Sequence, residues 1–342
     1  MDLLKYSVNG IIGTCLALSL FSCKEEASEY VANQNFGPAL GTSYHITYIG
    51  KEELNFEKEI DSVFNAINKS MSTYLPDSDI SKINKGDTTI VVDDMFKEVF
   101  GLSNRINKTT KGYFDPTVGT LVNAWGFGPG EKIELDSAKV DSLLEYVGFG
   151  KVKITNEGTV VKDNPNIYFD FNAVAKGYAI DRLAAMLDKK GITDYLVEVG
   201  GEIVVKGINK VKDQQWTIGV DDPQGDDRSK PKLKIHLKDK AMASSGNYRK
   251  FRVDSITGEK YVHTINPITG FTKNSDVLAT TVLANTCATA DAYATSFMAM
   301  DLEDTIDLLE EHKELEAYII YLNSKGETME FITMGFEALI VP

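Results

Sequence analysis

The residues best suited to do chemistry lie in one stretch, Ser244 to Thr295, which contains three polar segments. Ser244-Ser-Gly-Asn-Tyr248 and His263-Thr-Ile-Asn-Pro-Ile-Thr-Gly270 are rich in turn-forming residues, and we expect their polar atoms to stay outside regular structure. Asp291-Ala-Tyr-Ala-Thr295 lies in an alanine-rich stretch that favours a helix. A base, free backbone donors and oxygen ligands for a hard metal are what phosphate chemistry requires. The stretch therefore predicts a phosphate-handling site.

Asp291 and Thr295 are four residues apart, so a helix places their side chains on one face. That pair suits Mg²⁺, which prefers oxygen ligands and keeps positions open for water and phosphate. It equally fits a solvated carboxylate next to a threonine that bonds to its own helix. His263 is one of four histidines. A histidine at a turn is a credible general base because its ordinary pKa is about 6.5, and an exposed loop histidine is the alternative.

A second candidate region runs from Asp170 to Asp181 and is typical of a strand that feeds a helix. The unpaired N–H groups and positive dipole end of a helix N-terminus favour anionic phosphates. Lys176 in the first turn is unfavourable for the helix itself, so it either meets an anion or is an ordinary surface lysine. Gly200-Gly-Glu202 interrupts a strand-like stretch, which indicates a bulge or the close approach of another backbone or a ligand.

Two aromatic segments, Tyr113-Phe-Asp-Pro-Thr117 and Trp125-Gly-Phe-Gly128, place rings beside small residues. Such rings could sandwich a flat ligand, or they could simply belong to the hydrophobic core. The irregular stretch around them, from Gly112 to Gly130, is too long to be an idle loop.

The whole-chain composition is that of a globular protein of 342 residues, with 43% hydrophobic and 25% charged residues. This length allows one large domain or two. The formal net charge of -14 would repel a nucleic acid, so nucleic-acid binding is excluded as a general function. No G-x-G-x-x-G follows a strand and no Walker A pattern is present, which argues against the common nucleotide folds.

Strands and helices alternate irregularly, with several hairpin-like strand pairs, and this predicts an α+β fold rather than a doubly wound parallel sheet. Helices are predicted at residues 55–70, 94–109, 173–189, 286–300 and 302–312. Strands are predicted at residues 44–48, 167–170, 195–206 with a break at Gly200-Gly201, 216–220, 232–237, 250–253, 277–283, 317–322 and 328–332.

The N-terminal segment has the pattern of an export signal. An apolar run from Ile11 to Phe21 is too short to span a membrane, and Leu20-Phe-Ser-Cys23 is similar to a bacterial lipobox. We therefore predict a signal peptide at residues 1–22, lipidation of Cys23, a polar tether at residues 23–38 and a folded domain at residues 39–342. An ordinary signal peptide with an incidental cysteine is the alternative. Cys287 is then the one cysteine outside the signal and lipidation site, and we expect it to be a buried structural thiol.

Taken together, these segments resemble the ApbE family of FAD:protein FMN transferases. The resemblance covers residues 40–302 and rests on eight motifs in the family's order. They are Leu40-Gly-Thr-x-Tyr44, Met71-Ser-Thr-Tyr-x-Pro-x-Ser78, Phe114-Asp-Pro-Thr-Val-Gly119, Trp125-Gly-Phe-Gly128, Asp170-x-x-Ala-x-Ala-Lys-Gly-Tyr178, Gly200-Gly-Glu202, His263-x-Ile-x-Pro-x-Thr-Gly270 and Ala290-Asp-Ala-x-Ala-Thr295. The resemblance implies an ApbE-like α+β fold of mixed, largely antiparallel sheets with packed helices.

The resemblance also implies roles for the matching positions. Mg²⁺ would be held by the side chains of Asp291 and Thr295 and the backbone oxygens of Ala173 and Ala294. Contacts to the flavin and phosphates of FAD would come from Leu40, Tyr74, Tyr113, Phe114, Asp115, Asp170, Lys176 and Ile265. His263 would accept the proton of the acceptor hydroxyl. Asn247 and Asn266 depart from the pattern because many relatives carry Asp there, which would weaken any orienting role to neutral hydrogen bonding.

The implied reaction transfers FMN from FAD to a threonine hydroxyl of an exported flavoprotein and releases AMP. The implied acceptors are subunits of sodium-pumping or related redox complexes, and the enzyme would be a membrane-anchored lipoprotein that faces the periplasm. Two alternatives stay open at this point. One is an Mg²⁺-dependent FAD pyrophosphatase that yields FMN and AMP, and the other is a flavin-binding lipoprotein without turnover.

Overall fold

The fold is taken from a computed structural model, which describes residues 29–223, 230–246, 251–253, 260–262, 264–272 and 276–342, with residues 251–253 and 260–262 described in their backbone alone. Cys23, Asn247 and His263 lie outside the described residues. The predictions that fall on these three positions therefore stay predictions.

The helices of the described chain are α1 Glu57–Met71, α2 Asp79–Asn84, α3 Asp94–Thr109, α4 Gly119–Ala124, α5 Ser137–Leu144, α6 Asn172–Lys189, α7 Cys287–Ala299, α8 Leu302–Glu311 and α9 Met334–Glu337. The strands are β1 Val31–Ala39, β2 Thr42–Gly50, β3 Val152–Ile154, β4 Val160–Lys162, β5 Tyr195–Val199, β6 Glu202–Lys206, β7 Trp216–Val220, β8 Leu233–Leu237, β9 Lys240–Gly246, β10 Phe251–Val253, β11 Lys260–Val262, β12 Val277–Ala284, β13 Glu316–Leu322 and β14 Thr328–Ile332.

The centre of the fold is an eight-stranded sheet in the order β1-β2-β5-β6-β9-β12-β13-β14, and every neighbouring pair in it is antiparallel. Successive residues of a strand face opposite sides of a sheet. On β9, Ala241 and Ala243 accordingly join the cluster that contains the helices α1, α3, α6 and α7, whereas Met242 joins the cluster formed with the β7–β8 hairpin and α9. The predicted α+β class is confirmed.

Helix α7 is buried on almost all sides. Its many alanine side chains and the alanines of β9 are small, so the helix and the strand can pack closely. Its N-cap, Thr286, accepts a hydrogen bond from the Thr289 N–H at 3.3 Å. A helix held this deeply can present a carboxylate and a hydroxyl at fixed positions inside the protein, which an exposed helix could not do.

Three expectations need correction. Residues 31–38 were assigned to the tether, but Val31–Ala39 is the edge strand β1, so the folded domain begins before residue 39. Ser244, Ser245 and Gly246 were expected in a free turn, but they close strand β9 and pair with β12. Residues 167–170 form no strand of their own, and Tyr168 makes a single parallel bridge to Val118.

The asparagines of β1 explain why that strand escaped detection. Asn33 accepts a hydrogen bond from the Leu54 N–H at 2.7 Å, and Asn35 accepts one from the Tyr48 hydroxyl at 2.9 Å. Both asparagines are buried, and they tie down the connection from β2 to α1. Their polar side chains therefore form hydrogen bonds with buried groups, and they do not indicate a solvated linker. Among the described residues, no helix is long and apolar enough to cross a membrane.

Candidate active site

The N-terminal part of α6 carries the lysine at the centre of the candidate site. The Lys176 Nζ lies 2.6 Å from the Glu202 Oε2, and Glu202 is 3% exposed. Glu202 directly follows the two-residue turn Gly200-Gly201 that joins β5 to β6. This turn brings the first residue of β6 under α6, so the predicted strand break positions a buried carboxylate against the helix.

Asp291 is the second carboxylate beside this lysine, and its side chain is 5% exposed. Its Oδ2 accepts a hydrogen bond from the Gly177 N–H at 3.0 Å, which joins α7 to the first turns of α6. In an ideal helix that N–H would point at the carbonyl of Ala173. Here the Gly177 N–H donates to Asp291. Asp291 therefore competes with the Ala173 carbonyl oxygen for this donor, and that oxygen is the one that the family resemblance assigns to the metal.

The electrostatics of this cluster are dominated by burial. Burial raises the pKa of Asp291 to about 6, with Lys176 opposing the rise, and burial likewise raises the pKa of Glu202 to about 7. Burial lowers the pKa of Lys176, but the attraction of Asp291 and Glu202 outweighs it, so the net shift is upward. Asp181 also lies within electrostatic reach, and burial raises its pKa to about 6. Two carboxylates thus face one ammonium, and the third, Asp181, acts on Asp291. A bound cation would relieve the excess negative charge.

Thr295 and Ala294 lie on the part of α7 that packs against β9 and β12. The Thr295 Oγ1 is 3.5 Å from the Ser245 Oγ, and the Ala294 carbonyl accepts a hydrogen bond from the Thr280 hydroxyl at 2.8 Å. The structure therefore places Thr295 and Ala294 against Ser245 and Thr280, near the end of β9 and the beginning of β12. Thr280 was not predicted, since nothing in its own sequence context distinguishes it from any other strand threonine.

The donor set fits a hard cation. Among the described residues, no group of three or more His, Cys, Asp or Glu side chains could hold a metal ion. The implied Mg²⁺ ligands are of another kind, because they combine the Asp291 carboxylate and Thr295 hydroxyl with the backbone oxygens of Ala173 and Ala294. The observation that supports the fit is the buried, charge-rich Asp291, whose Oδ1 receives no hydrogen bond from the described residues. Oxygen ligands of this type suit Mg²⁺.

Asp170 and Tyr74 lie together where the chain enters α6. The Asp170 N–H donates to the Pro116 carbonyl at 2.7 Å, and its Oδ1 accepts the Asn172 N–H at 2.7 Å. Tyr74 is 60% exposed, and burial and the nearby Asp170 charge both raise its pKa. An exposed aromatic ring beside a helix N-terminus can contact both a flat ring system and a phosphate.

Leu40 occupies the tight turn between β1 and β2. Its φ of 50° is unusual for a residue with a branched side chain, and Gly41 follows at 76°. The Gly200 N–H donates to the Ser43 carbonyl at 3.0 Å, so this turn lies beside the Gly200-Gly201 turn. A Cβ on Gly200 would come within 2.8 Å of the Thr42 side chain. The two turns therefore form one end of the sheet, next to Glu202.

The Tyr113–Asp115 segment packs into the interior of the protein, unlike the exposed Tyr74. Asp115 is buried, and its two oxygens accept hydrogen bonds from the N–H groups of Thr117 and Phe149, both at 2.8 Å. Phe114 is part of the main hydrophobic core, whereas Tyr113 is half-buried at its border. The Asp115 carboxylate is thus engaged in holding its own loop, and its predicted contact to FAD stays a prediction.

Ile265 and Asn266 lie in the loop that follows His263. Ile265 is buried in a small cluster with Leu121, Val140 and Val147. The Asn266 Oδ1 accepts the N–H groups of Ile268 at 2.8 Å and Thr269 at 3.3 Å. Because a carbonyl oxygen makes the same bonds as a carboxylate oxygen would, Asn at this position preserves the turn.

The same loop is anchored from the aromatic segment, where the Trp125 Nε1–H donates to the Gly270 carbonyl at 2.9 Å. Trp125 also contacts Phe271 edge to face, with ring centroids 6.4 Å apart. The segment 125–128 therefore supports the loop at its C-terminal end.

Comparison with known proteins identifies this arrangement. The model of the ApbE family matches residues 40–319. An FAD:protein FMN transferase from Haemophilus influenzae is 33% identical and aligns over 98% of this chain and 97% of its own length. Another from Vibrio cholerae is 35% identical over 86% of this chain and 88% of its own.

Solved structures agree with the sequence comparison. The flavin transferase ApbE from Vibrio cholerae superposes with a TM-score of 0.79 at 33% identity, over 91% of this chain and 99% of that chain. The ApbE protein of Thermotoga maritima gives a TM-score of 0.79 at 26% identity, over 91% and 100%. Fold and site thus define a flavin transferase. The chain belongs to the ApbE family, and it is an FAD:protein FMN transferase, as the motifs predicted.

Proposed function

We propose that the enzyme transfers FMN to a threonine hydroxyl of an exported flavoprotein and that the reaction requires Mg²⁺. The observation that carries the proposal is the cluster that the half-buried Lys176 forms with the buried Glu202 and Asp291 at the start of α6. It combines a cation for a phosphate, an excess of carboxylate charge for a metal, and a helix N-terminus nearby. These are the elements that a displacement at a pyrophosphate needs.

The chemistry follows from the groups present. The threonine Oγ attacks the phosphorus on the FMN side of the pyrophosphate and forms a phosphoester bond. The P–O anhydride bond breaks, AMP leaves with the bridging oxygen, and His263 takes the hydroxyl proton. Lys176 and the positive dipole end of α6 attract the phosphates and orient them. Mg²⁺, held by Asp291, Thr295 and the carbonyls of Ala173 and Ala294, would neutralise pyrophosphate charge and increase the electrophilicity of phosphorus.

The direct test is incubation of the purified enzyme with FAD and an acceptor domain, in Mg²⁺ or in EDTA, with the acceptor threonine intact or changed to alanine. We expect covalent FMN on the intact acceptor and AMP in solution, in Mg²⁺ only. Free FMN with unlabelled acceptor would replace the transferase mechanism by a pyrophosphatase. FAD binding without AMP or FMN would leave a flavin-binding protein.

Replacing His263 with Ala should slow FMN transfer by about 10²-fold or more, the usual contribution of a general base. Binding of FAD and Mg²⁺ should be retained, because His263 is not among the groups proposed to bind them. Single-turnover labelling, together with equilibrium binding of FAD, measures both quantities. Labelling at the wild-type rate would remove His263 from the mechanism.

We also propose that the enzyme is a lipoprotein anchored through Cys23 and facing the periplasm. The Leu20-Phe-Ser-Cys23 sequence supports this proposal. Cys23→Ala should release an active enzyme into the soluble fraction, since the candidate site lies far along the chain. Fractionation of cells followed by immunoblotting checks this, and unchanged membrane attachment would contradict lipidation.

The acceptors that we propose are subunits of sodium-pumping or related redox complexes. The family resemblance supports this class of partner. Mass spectrometry of flavin-labelled peptides, in cells with and without the gene, would identify the acceptors. Labelled peptides that persist without the gene, or that belong to other classes of protein, would contradict the assignment.

A further inference from the structure

Asp181 is a half-buried carboxylate that the proposed reaction itself does not use. It lies on α6 and reaches across to the first residues of α7, where its Oδ1 accepts the Cys287 N–H at 2.7 Å and its Oδ2 accepts the Ala288 N–H at 2.9 Å. The first N–H groups of a helix have no partner inside that helix. Here two of them are bound by a residue from another helix, while the local cap Thr286 serves the Thr289 N–H.

One helical turn earlier on α6, Gly177 makes the approach of the two helices possible. A Cβ on this residue would lie 2.4 Å from the Cys287 carbonyl oxygen and 2.8 Å from the Ala288 Cα, so the backbones are in direct contact. The Gly177 N–H also donates to Asp291 on α7 at 3.0 Å. The two helices are thus joined by two carboxylate-to-backbone contacts that run in opposite directions.

The spacing of these contacts fixes the register of the helices. Gly177 and Asp181 are one turn apart on α6, and Cys287 and Asp291 are one turn apart on α7. Asp181 contacts the start of α7, while Gly177 contacts Asp291, so the helices cross in an antiparallel sense. A slide of one helix along the other would break both contacts together.

This register matters for the metal ligands of the proposed function. Asp291, Ala294 and Thr295 belong to α7, but Ala173 belongs to α6. Mg²⁺ requires near-octahedral geometry with oxygen distances of about 2.0–2.1 Å. Ligands on two helices meet that requirement only if the helices are held to within a few tenths of an ångström. Burial raises the pKa of Asp181 to about 6, so its ionised carboxylate is costly to keep at this position. A neutral side chain that capped α7 would avoid that cost.

We propose that Asp181 is a positioning residue, which sets the affinity of the site for Mg²⁺ by capping α7 from α6 and so fixing the metal ligands of the two helices relative to each other. The proposal rests on the proposed metal site. It does not require Asp181 to contact the metal, the flavin or the acceptor.

The test is Mg²⁺ titration by calorimetry of the full-length enzyme and of Asp181→Asn, in which the amide keeps one acceptor oxygen and turns a donor toward the second N–H. The dissociation constant for Mg²⁺ should increase about 10- to 100-fold, as for groups that orient metal ligands. Asp181→Glu keeps the charge but displaces the carboxylate by one methylene, and it should also increase the dissociation constant for Mg²⁺. This second variant provides the test if Asp181→Asn does not fold.

Thr286→Ala is the matched control, because it removes the local cap of the same helix and leaves the Asp181 contacts in place. It should lower the melting temperature while changing the Mg²⁺ dissociation constant less than about twofold. Wild-type Mg²⁺ affinity in both Asp181 variants, or equal weakening in Thr286→Ala, would overturn the positioning role alone. Failure of the wild-type enzyme to bind Mg²⁺ would overturn the proposed metal site and this role with it.

Discussion

Asp291→Asn is expected to abolish Mg²⁺ binding and to slow FMN transfer by about 10²–10³-fold. The carboxylate is the one charged ligand among the four proposed oxygens, and a Lewis-acid metal contributes several kcal/mol of transition-state stabilisation, which corresponds to that range of rates. Calorimetric Mg²⁺ titration and single-turnover labelling measure the two effects. An enzyme that still binds Mg²⁺ as the wild type does would contradict the assignment of Asp291.

The same substitution should not destabilise the metal-free protein at high pH. The folded-state pKa of Asp291 is raised to about 6 from an ordinary 3.8. Its contribution to stability is therefore complete below about pH 4 and is lost as the pH rises through 6. At pH 8 the ionised carboxylate is a cost to the wild type, while the Asn oxygen can still accept the Gly177 N–H. Asp291→Asn should then be more stable by about 1–3 kcal/mol.

Urea unfolding in EDTA at pH 5 and pH 8 tests the sign. The gain in Asp291→Asn should be larger at pH 8 than at pH 5. Asp307→Asn, on the exposed face of α8 and beyond its first turn, is the matched control and should leave stability unchanged at both pH values. A loss of stability in the metal-free Asp291→Asn protein at pH 8 would show that the carboxylate stabilises the fold without a metal.

Gly177→Ala is expected to destabilise the protein by about 1–3 kcal/mol, the usual cost of overpacking. The added Cβ would meet the backbone of Cys287 and Ala288, which cannot move aside as a side chain could. Helix propensity alone favours Ala over Gly by about 1 kcal/mol, so the expected sign is opposite to that of an ordinary glycine in a helix. Mg²⁺ binding should weaken too, because the helices that carry its ligands are forced apart.

Gly101→Ala provides the comparison for this prediction. Gly101 lies inside α3, and a Cβ there would come no nearer than 3.9 Å to the Arg105 side chain. This variant should be stabilised by about 0.5–1 kcal/mol. Chemical unfolding of both variants gives the two free-energy differences. Stabilisation in both would mean that α6 and α7 have room to separate at no cost.

The sequence alone predicts the parts of the candidate site that depend on local spacing. The four-residue spacing of Asp291 and Thr295 predicts that their side chains lie on one face of a helix. The stretch from Asp170 to Lys176 predicts the start of α6. The ion pair of Lys176 with Glu202 could not be predicted, because it depends on the β5–β6 turn meeting α6. Asp181 was missed for the same reason, since its partners are more than a hundred residues away.

The errors in the fold also have physical causes. Ser244 and Ser245 were taken for turn residues by composition, but strand β9 is central in the sheet and small polar side chains fit against α7 and β12. β1 was assigned to a tether because its asparagines are polar, although they are buried. In both segments, tertiary contacts outweighed the local preference.

The candidate site joins Lys176, Glu202 and Asp291, which come from an early helix, a middle strand and a late helix of the domain. They meet only after β6, β9 and β12 have paired across the centre of the sheet. A partly folded chain that lacks β12 would keep Lys176 and Glu202 but would have no partner helix to bring Asp291 to them. Ligand occupancy is therefore linked to completion of the fold, because a ligand that binds the native state alone shifts the folding equilibrium toward it.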